Sequence, residues 1–349
     1  MEALRHKLLR WYDRAARDLP WRRTRDPYAI WVSETMLQQT RVETVIPYYE
    51  RFLQRFPTPE ALAEADEDEV LSHWSGLGYY RRARLLHAGA REVVARYGGK
   101  VPEEAHDRRA LPGVGRYTAG AIGSIAFDKP EPVVDGNVTR VLARLCGIDT
   151  PTGTAKTTKR LWAEAARLVP DERPGAFNQA HMELGAMVCS PKRPRCEVCP
   201  LAGDCEAYAK GHVEALPVIR ARKAPSGVSL VAVVATRGTG SGRAVWLVRS
   251  QERLFGGLWG VPMVQRNGAR LGDARAALHA AGISARVSQK STARIEHVLT
   301  HRRLELDVFR ATGADARESE NRRRFTAAAL DEVGLSTLTR RLLAAALAS

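Results

Sequence analysis

Over roughly the first 210 residues, apolar positions return every three or four places, and strictly alternating or β-branched runs are scarce. The pattern predicts helices over 44–56, 67–75, 80–97, 117–127, 139–145, 157–168 and 175–187, separated by punctuation rich in Pro and Gly. A further helix should open at Pro27, because Asp26 can cap free N–H groups with its side chain and the proline presets the first helical φ. After Cys205 the period changes. Residues 211–227 contain Pro217, Pro225 and the basic run Arg220-Ala221-Arg222-Lys223, a linker composition. Beyond them, 228–235 and 244–249 read as strands joined by the glycine-rich turn 237–243, and 294–300 with 303–310 as a second hairpin. Residues 273–281 and 337–347 read as helices. The expectation is a mainly α domain over 1–210, a linker over 211–227 and a smaller α+β domain over 228–349.

Charge narrows the choice of partner. Lysine and arginine outnumber acidic residues 54 to 39, a formal net charge of +15 that suits a polyanion, nucleic acid before an anionic membrane surface. No apolar run approaches the roughly 20 residues that span a bilayer, so no membrane association is expected. The opening Met1-Glu2-Ala3-Leu4-Arg5 lacks the apolar core of a secretory signal, and a cytoplasmic location is expected.

Four of the five cysteines, Cys189, Cys196, Cys199 and Cys205, are spaced C-x6-C-x2-C-x5-C. In a reducing compartment such a group points to a metal before disulfides. Four thiolates suit either tetrahedral Zn²⁺ or a 4Fe–4S cluster. Structural zinc sites usually pair two short C-x2-C knuckles, and here there is one short pair with uneven gaps. The loop Ser190-Pro191-Lys192-Arg193-Pro194-Arg195 is either a phosphate contact or a solvated loop. Cys146 reads as a small core residue.

Upstream, Leu111-Pro112-Gly113-Val114-Gly115 precedes a helical stretch. Gly113 and Gly115 around one apolar residue permit a tight turn whose N–H groups can meet a DNA phosphate without sequence preference.

The turn is similar to the hairpin of helix-hairpin-helix proteins. With the cysteine spacing, Trp31 to Thr40, Gly76-Leu77-Gly78-Tyr79-Tyr80 and Val134-Asp135-Gly136-Asn137-Val138, the chain resembles the MutY-type adenine DNA glycosylases of the endonuclease III superfamily. That resemblance implies a helix-hairpin-helix glycosylase domain with a 4Fe–4S loop, followed by a Nudix-like domain. It also implies a monomeric, bacterial-type, nucleoid-associated enzyme of base excision repair acting on duplex DNA with A opposite 8-oxoguanine or G. The chemistry can be reasoned separately. Releasing an intact purine demands help for a poor leaving group and stabilisation of an oxocarbenium-like sugar, work for two carboxyls in different environments. Glu34, set among Ile30, Trp31, Met36 and Leu37, suits a protonated acid, and Asp135 an anion facing the sugar cation. The bland alternatives are a surface glutamate and a helix cap.

Further roles come from the resemblance. The bifunctional lyases of the superfamily carry a lysine two places after the second hairpin glycine, and this chain has Tyr117 there, which cannot form a Schiff base. Tyr117 and Asn137 are implied as hydrogen-bonding supports, and simple hydrolysis is favoured. Gln39 and Tyr79 stand where the family wedges the duplex beside the lesion. Trp21 and Arg22 are implied in the adenine pocket. Leu258-Trp259-Gly260-Val261-Pro262 looks like the Nudix-related part, but 272–281 has one acid, Asp273, where a working Nudix helix is dense in glutamate, so binding without catalysis is expected. Leu299-Thr300-His301 resembles the family's 8-oxoguanine-recognition loop, with Leu for Phe and Thr for Ser. A threonine hydroxyl can accept the N7–H that 8-oxoguanine has and guanine lacks. An endonuclease III-type lyase fails at Tyr117 and at the extra domain. A non-enzymatic cluster protein would not need Glu34 or Asp135. A nucleotide hydrolase lacks its metal ligands.

Overall fold

The computed structural model describes residues 1–219, 225–250 and 255–347. The helices are α1 (Glu2–Ala15), α2 (Pro27–Leu37), α3 (Val42–Arg55), α4 (Pro59–Glu64), α5 (Glu67–His73), α6 (Arg81–Tyr97), α7 (Ala105–Ala110), α8 (Arg116–Phe127), α9 (Gly136–Leu145), α10 (Ala155–Leu168), α11 (Pro174–Met187), α12 (Glu206–Ala209), α13 (Arg270–Ala280) and α14 (Thr337–Leu347). The strands are β1 (Ser226–Arg237), β2 (Ala244–Arg249), β3 (Trp259–Gly260), β4 (Met263–Gln265), β5 (Ser284–Val287), β6 (Ala293–Val298), β7 (Arg302–Asp315) and β8 (Arg322–Thr326). Among the described residues no helix is long and apolar enough to cross a membrane.

The chain divides into two compact units: Met1–Ala63 with Ala88–Arg222, and Glu64–His87 with Lys223–Ser349. The first is helical. Asp26 caps α2 as the sequence predicts, its carboxylate accepting from the N–H groups of Tyr28 and Ala29. Every residue of α2 from Tyr28 to Met36 is buried, because α3 and α8 pack on it. Apolar residues of α9, α10 and α11, among them Leu142, Leu161, Phe177 and Leu184, build a second core with Leu8 of α1, a helix the sequence reading did not single out.

The second unit is a mixed sheet ordered β3-β2-β1-β7-β5, with β4 on β1, β6 on β7 and β8 on β2. Both hairpins expected from the sequence are present, β1 with β2 and β6 with β7, each antiparallel. The long β1–β7 pair is parallel, from Ser226 opposite Arg302 to Ala235 opposite Ala311. Alternation along β1 sends Val231, Val233 and Ala235 to a core under α13, while Ala232 and Val234 join a core with Trp259 and α14.

Two boundaries differ from the expected 1–210, 211–227 and 228–349. The segment 64–87 belongs with the second unit, where Ser75 Oγ and Tyr80 OH both donate to the carbonyl of Leu335, at 2.9 and 3.0 Å, and Arg249 pairs with Asp68. Part of the expected linker is tied into the first unit, since buried Arg144 donates to the carbonyls of Val213 and Leu216 and Thr152 N–H to that of Val218. The basic run Arg220 to Lys223 lies outside the described residues.

Candidate active site

Seven of the residues singled out in the sequence line one cavity of about 490 Å³ in the first unit: Trp21, Arg22, Glu34, Gln39, Tyr117, Asp135 and Asn137. Glu34 arrives on apolar α2 and is 5% exposed. Burial raises its carboxyl to about 7, helped by the charge of Asp135 and opposed by Tyr117 and Arg22. Tyr117, on the first turn of α8, donates its hydroxyl to Glu34 Oε2 at 2.7 Å. One carboxyl oxygen is thereby fixed, and burial and the neighbouring carboxylates hold the phenol well above its ordinary value, so it acts as a donor.

Asp135 is the N-cap of α9. Its Oδ1 accepts from Val138 N–H at 2.7 Å and its Oδ2 from Asn137 Nδ2 at 3.2 Å. Burial raises its carboxyl, and these hydrogen bonds to the anion work against the rise. The alternative of a plain helix cap is thus realised together with a place in the cavity. Asn137 Oδ1 accepts in turn from Arg140, which also donates to the carbonyls of Gly185 and Cys189.

Glu183 of α11 lines the same cavity and was missed in the sequence. It is 1% exposed, accepts paired hydrogen bonds from both Arg17 and Arg22, and takes a fifth from Arg17 N–H. Burial alone would raise its carboxyl, but the two guanidinium groups outweigh burial and lower it to about 2. This clamp places the turn Pro20–Arg22, and with it Trp21, whose ring meets Tyr49 edge-on with centroids 5.6 Å apart. The available signal was that Glu183 is the lone acid in the apolar stretch 174–187. Glu183→Gln leaves two guanidinium groups facing an uncharged amide, and a loss of about 3 kcal/mol is expected. Denaturant unfolding at neutral pH checks it, with a lowered midpoint and unchanged slope.

The expected hairpin is formed by α7 and α8. Gly113 holds φ at +79°, which favours glycine, while Val114 is buried and Gly115 caps α8 in extended conformation. Buried Arg108 fastens the hairpin through the carbonyl of Ala119 and the carboxylate of Glu131. Gln39, at the end of α2, is exposed with φ +60°, a conformation uncommon outside glycine.

Cys189, Cys196, Cys199 and Cys205 surround a second small cavity. Arg144 Nη1 donates to Cys189 Sγ at 3.2 Å and to the Ser190 carbonyl. Backbone N–H groups reach Cys199 and Cys205, so the donor set fits a thiolate-bound metal group. Cys146 stands apart, packed against the core as expected.

In the second unit, Tyr79 is 46% exposed with φ +48°, and its hydroxyl lies 2.6 Å from Thr300 Oγ1. Leu299 packs partly against the core, whereas Thr300 and His301 are exposed in the turn between β6 and β7. On α13, Asp273 accepts from the N–H groups of Asn267 and Gly268, so the single acid there serves as a loop cap.

A helical unit with a glycine hairpin, three cavity carboxyls and a four-cysteine loop defines a class, and comparison with known proteins agrees. Residues 32–167 match the HhH-GPD superfamily base excision DNA repair protein family, and residues 232–345 the NUDIX domain family. A thermostable thymine-DNA glycosylase of known structure is 33% identical with a TM-score of 0.56, over 60% of this chain and 96% of that one. The chain belongs to the HhH-GPD superfamily of base excision DNA repair proteins. The adenine DNA glycosylase of Rattus norvegicus is 52% identical over 227 residues, 62% of this chain and 44% of the relative. That of Arabidopsis thaliana is 41% identical over 304 residues, 76% of this chain and 48% of the relative. The chain thus spans about half the length of these curated relatives.

Proposed function

We propose that the chain is a monofunctional adenine DNA glycosylase that hydrolyses the N-glycosidic bond of adenine opposite 8-oxoguanine, or opposite G, in duplex DNA. The observation that carries it is buried Glu34 and half-buried Asp135 lining one cavity, with Tyr117 where a lyase would need lysine. The relatives named adenine DNA glycosylase support the choice of base. With its carboxyl near 7, a substantial fraction of Glu34 holds a proton at neutral pH, and it gives that proton to adenine N7. The glycosidic electron pair leaves with adenine N9. Asp135 opposes the positive charge that develops on the sugar, and water adds at C1′, losing its proton, to give an abasic site. Gln39 is assigned a wedge beside the lesion, as is Tyr79 on the second unit, and the hairpin N–H groups around Gly113 to Gly115 hold a phosphate. Thr300 reads 8-oxoguanine by accepting its N7–H, in a domain that binds without Nudix hydrolysis.

A 4Fe–4S cluster held by Cys189, Cys196, Cys199 and Cys205 completes the proposal. The four thiols line one cavity, and their uneven spacing with a single C-x2-C pair supports a cluster over a zinc knuckle. The group's part is to hold the loop 189–205 and its cations in place; Arg144 orients Cys189. Cys199→Ser is expected to yield protein with less than about a tenth of the wild-type iron and sulfide and a lowered melting temperature, read by chemical assay and calorimetry. Wild-type iron content in that variant would count against the ligand set.

The deciding experiment is single-turnover incubation with duplexes carrying A opposite 8-oxoguanine, A opposite G, and T opposite G. Free adenine from the first two, with an intact abasic strand, is the expected result. Thymine released from the third in place of adenine would move the chain to a thymine glycosylase. Release of neither base by iron-replete protein removes the proposal.

A further inference from the structure

The turn between α5 and α6, Gly76 to Tyr80, is built around one guanidinium. Gly76, Gly78 and Tyr79 hold φ at +108°, +72° and +48°, so three of these five residues lie in the left-handed region. The carbonyls of Leu77, Gly78 and Tyr79 all accept from Arg82, the second residue of α6, at 3.3, 3.0 and 3.4 Å. Arg82 is 9% exposed. Its Cζ stands 5.4 Å from the ring centre of buried Trp74 and 5.5 Å from that of Tyr79. Trp74 Nε1 shares the Gly78 carbonyl at 3.2 Å.

Tyr79 is the exposed member of this stack, and its hydroxyl ends on Thr300. A tyrosine in left-handed conformation on an exposed turn has other backbone and rotamer states open to it. Binding the carbonyls of Leu77, Gly78 and Tyr79 removes the backbone alternatives, and the guanidinium over the ring restricts the side chain. An ammonium has neither the fork nor the plane.

We propose that Arg82 is the positioning residue of the lesion reader: it fixes the Tyr79 ring and hydroxyl where they meet Thr300 and the base opposite adenine. The inference rests on the proposed role of Tyr79 and Thr300, and it assigns Arg82 no contact with DNA.

The test uses the full chain, iron-replete, with Arg82→Met, Arg82→Lys, Tyr79→Ala and the Tyr79→Ala/Arg82→Met double variant. The quantity measured is the ratio of subsaturating single-turnover rates for adenine opposite 8-oxoguanine and opposite G. Arg82→Met is expected to lower the ratio about tenfold, the scale of one base–aromatic stack. Arg82→Lys should recover less than half of that loss on a logarithmic scale. Tyr79→Ala should lower the ratio as far, and adding Arg82→Met to it should lower it no further, because both act through one ring. An unchanged ratio in Arg82→Met, or losses that multiply in the double variant, overturns the proposal in favour of a merely structural staple. If Arg82→Met does not fold, Arg82→Lys alone and with Tyr79→Ala gives the same two readouts. A wild-type chain with equal rates on both duplexes removes the reader itself, and this inference with it; a selective wild type with an indifferent Arg82 variant removes this inference alone.

Discussion

Glu34→Gln is expected to lower the single-turnover rate of adenine release by about 10²–10⁴-fold while leaving the protein folded. Glutamine keeps the shape and can still accept from the Tyr117 hydroxyl, but its amide has no proton to give to N7. The same assignment fixes a pH dependence. The acid acts when protonated, and with its carboxyl near 7 the wild-type rate should fall as pH rises through about 7. Stability should move the same way. Burial raises the carboxyl from 4.5 to about 7, so between those values the folded chain holds a proton that the unfolded chain releases. The contribution is fully present below 4.5 and is lost as pH rises through about 7, on the order of 3 kcal/mol in all. The glutamine variant lacks that term, so it should be less active and more stable than wild type at pH above 8. Rate and melting temperature measured together across pH check both halves. A glutamine variant that is inactive because it has unfolded, or a wild-type rate that rises through pH 7, would take the proton donor away from position 34.

The conflict between charge and burial is what made part of the site readable at the level of residues. A glutamate inside an otherwise apolar helix conflicts with burial, and so does the lone acid of α11, Glu183. The first conflict was legible because Asp26-Pro27 marks the start of α2 and Glu34 then stands among Ile30, Trp31, Met36 and Leu37, in a segment that resembles the family's. The second was passed over because its resolution comes from Arg17 and Arg22, more than 160 positions away. The cysteine spacing and the hairpin glycines were equally local signals. Long-range geometry was not legible. Nothing near Tyr79 announces Thr300 as its partner, 221 positions on, and nothing in 64–87 announces that Ser75 and Tyr80 bind the Leu335 carbonyl. For the same reason the grouping of 64–87 with the second unit was not legible. The parallel register of β1 with β7 was hidden too, since alternation shows which face a residue takes but not which strand lies beside it.

Asp135→Asn separates the two duties that meet at position 135. As a cap, asparagine is nearly the equal of aspartate, and its Oδ1 can still accept from Val138 N–H. Its Nδ2, however, meets Nδ2 of Asn137. Relieving that contact requires Asn137 to turn its amide and give up the bond from Arg140, so a stability loss of about 1 kcal/mol is expected. Catalysis should suffer far more. On the proposed role the anion opposes the sugar cation from a half-buried position, and its removal should lower the rate by about 10²–10³-fold or more. Asp135→Ala removes cap and charge together, so it should match asparagine in rate while losing about a further 1 kcal/mol of stability. Were the asparagine variant to keep its rate while alanine lost it, position 135 would be a helix cap and no more, and the charge opposing the cation would have to come from another residue.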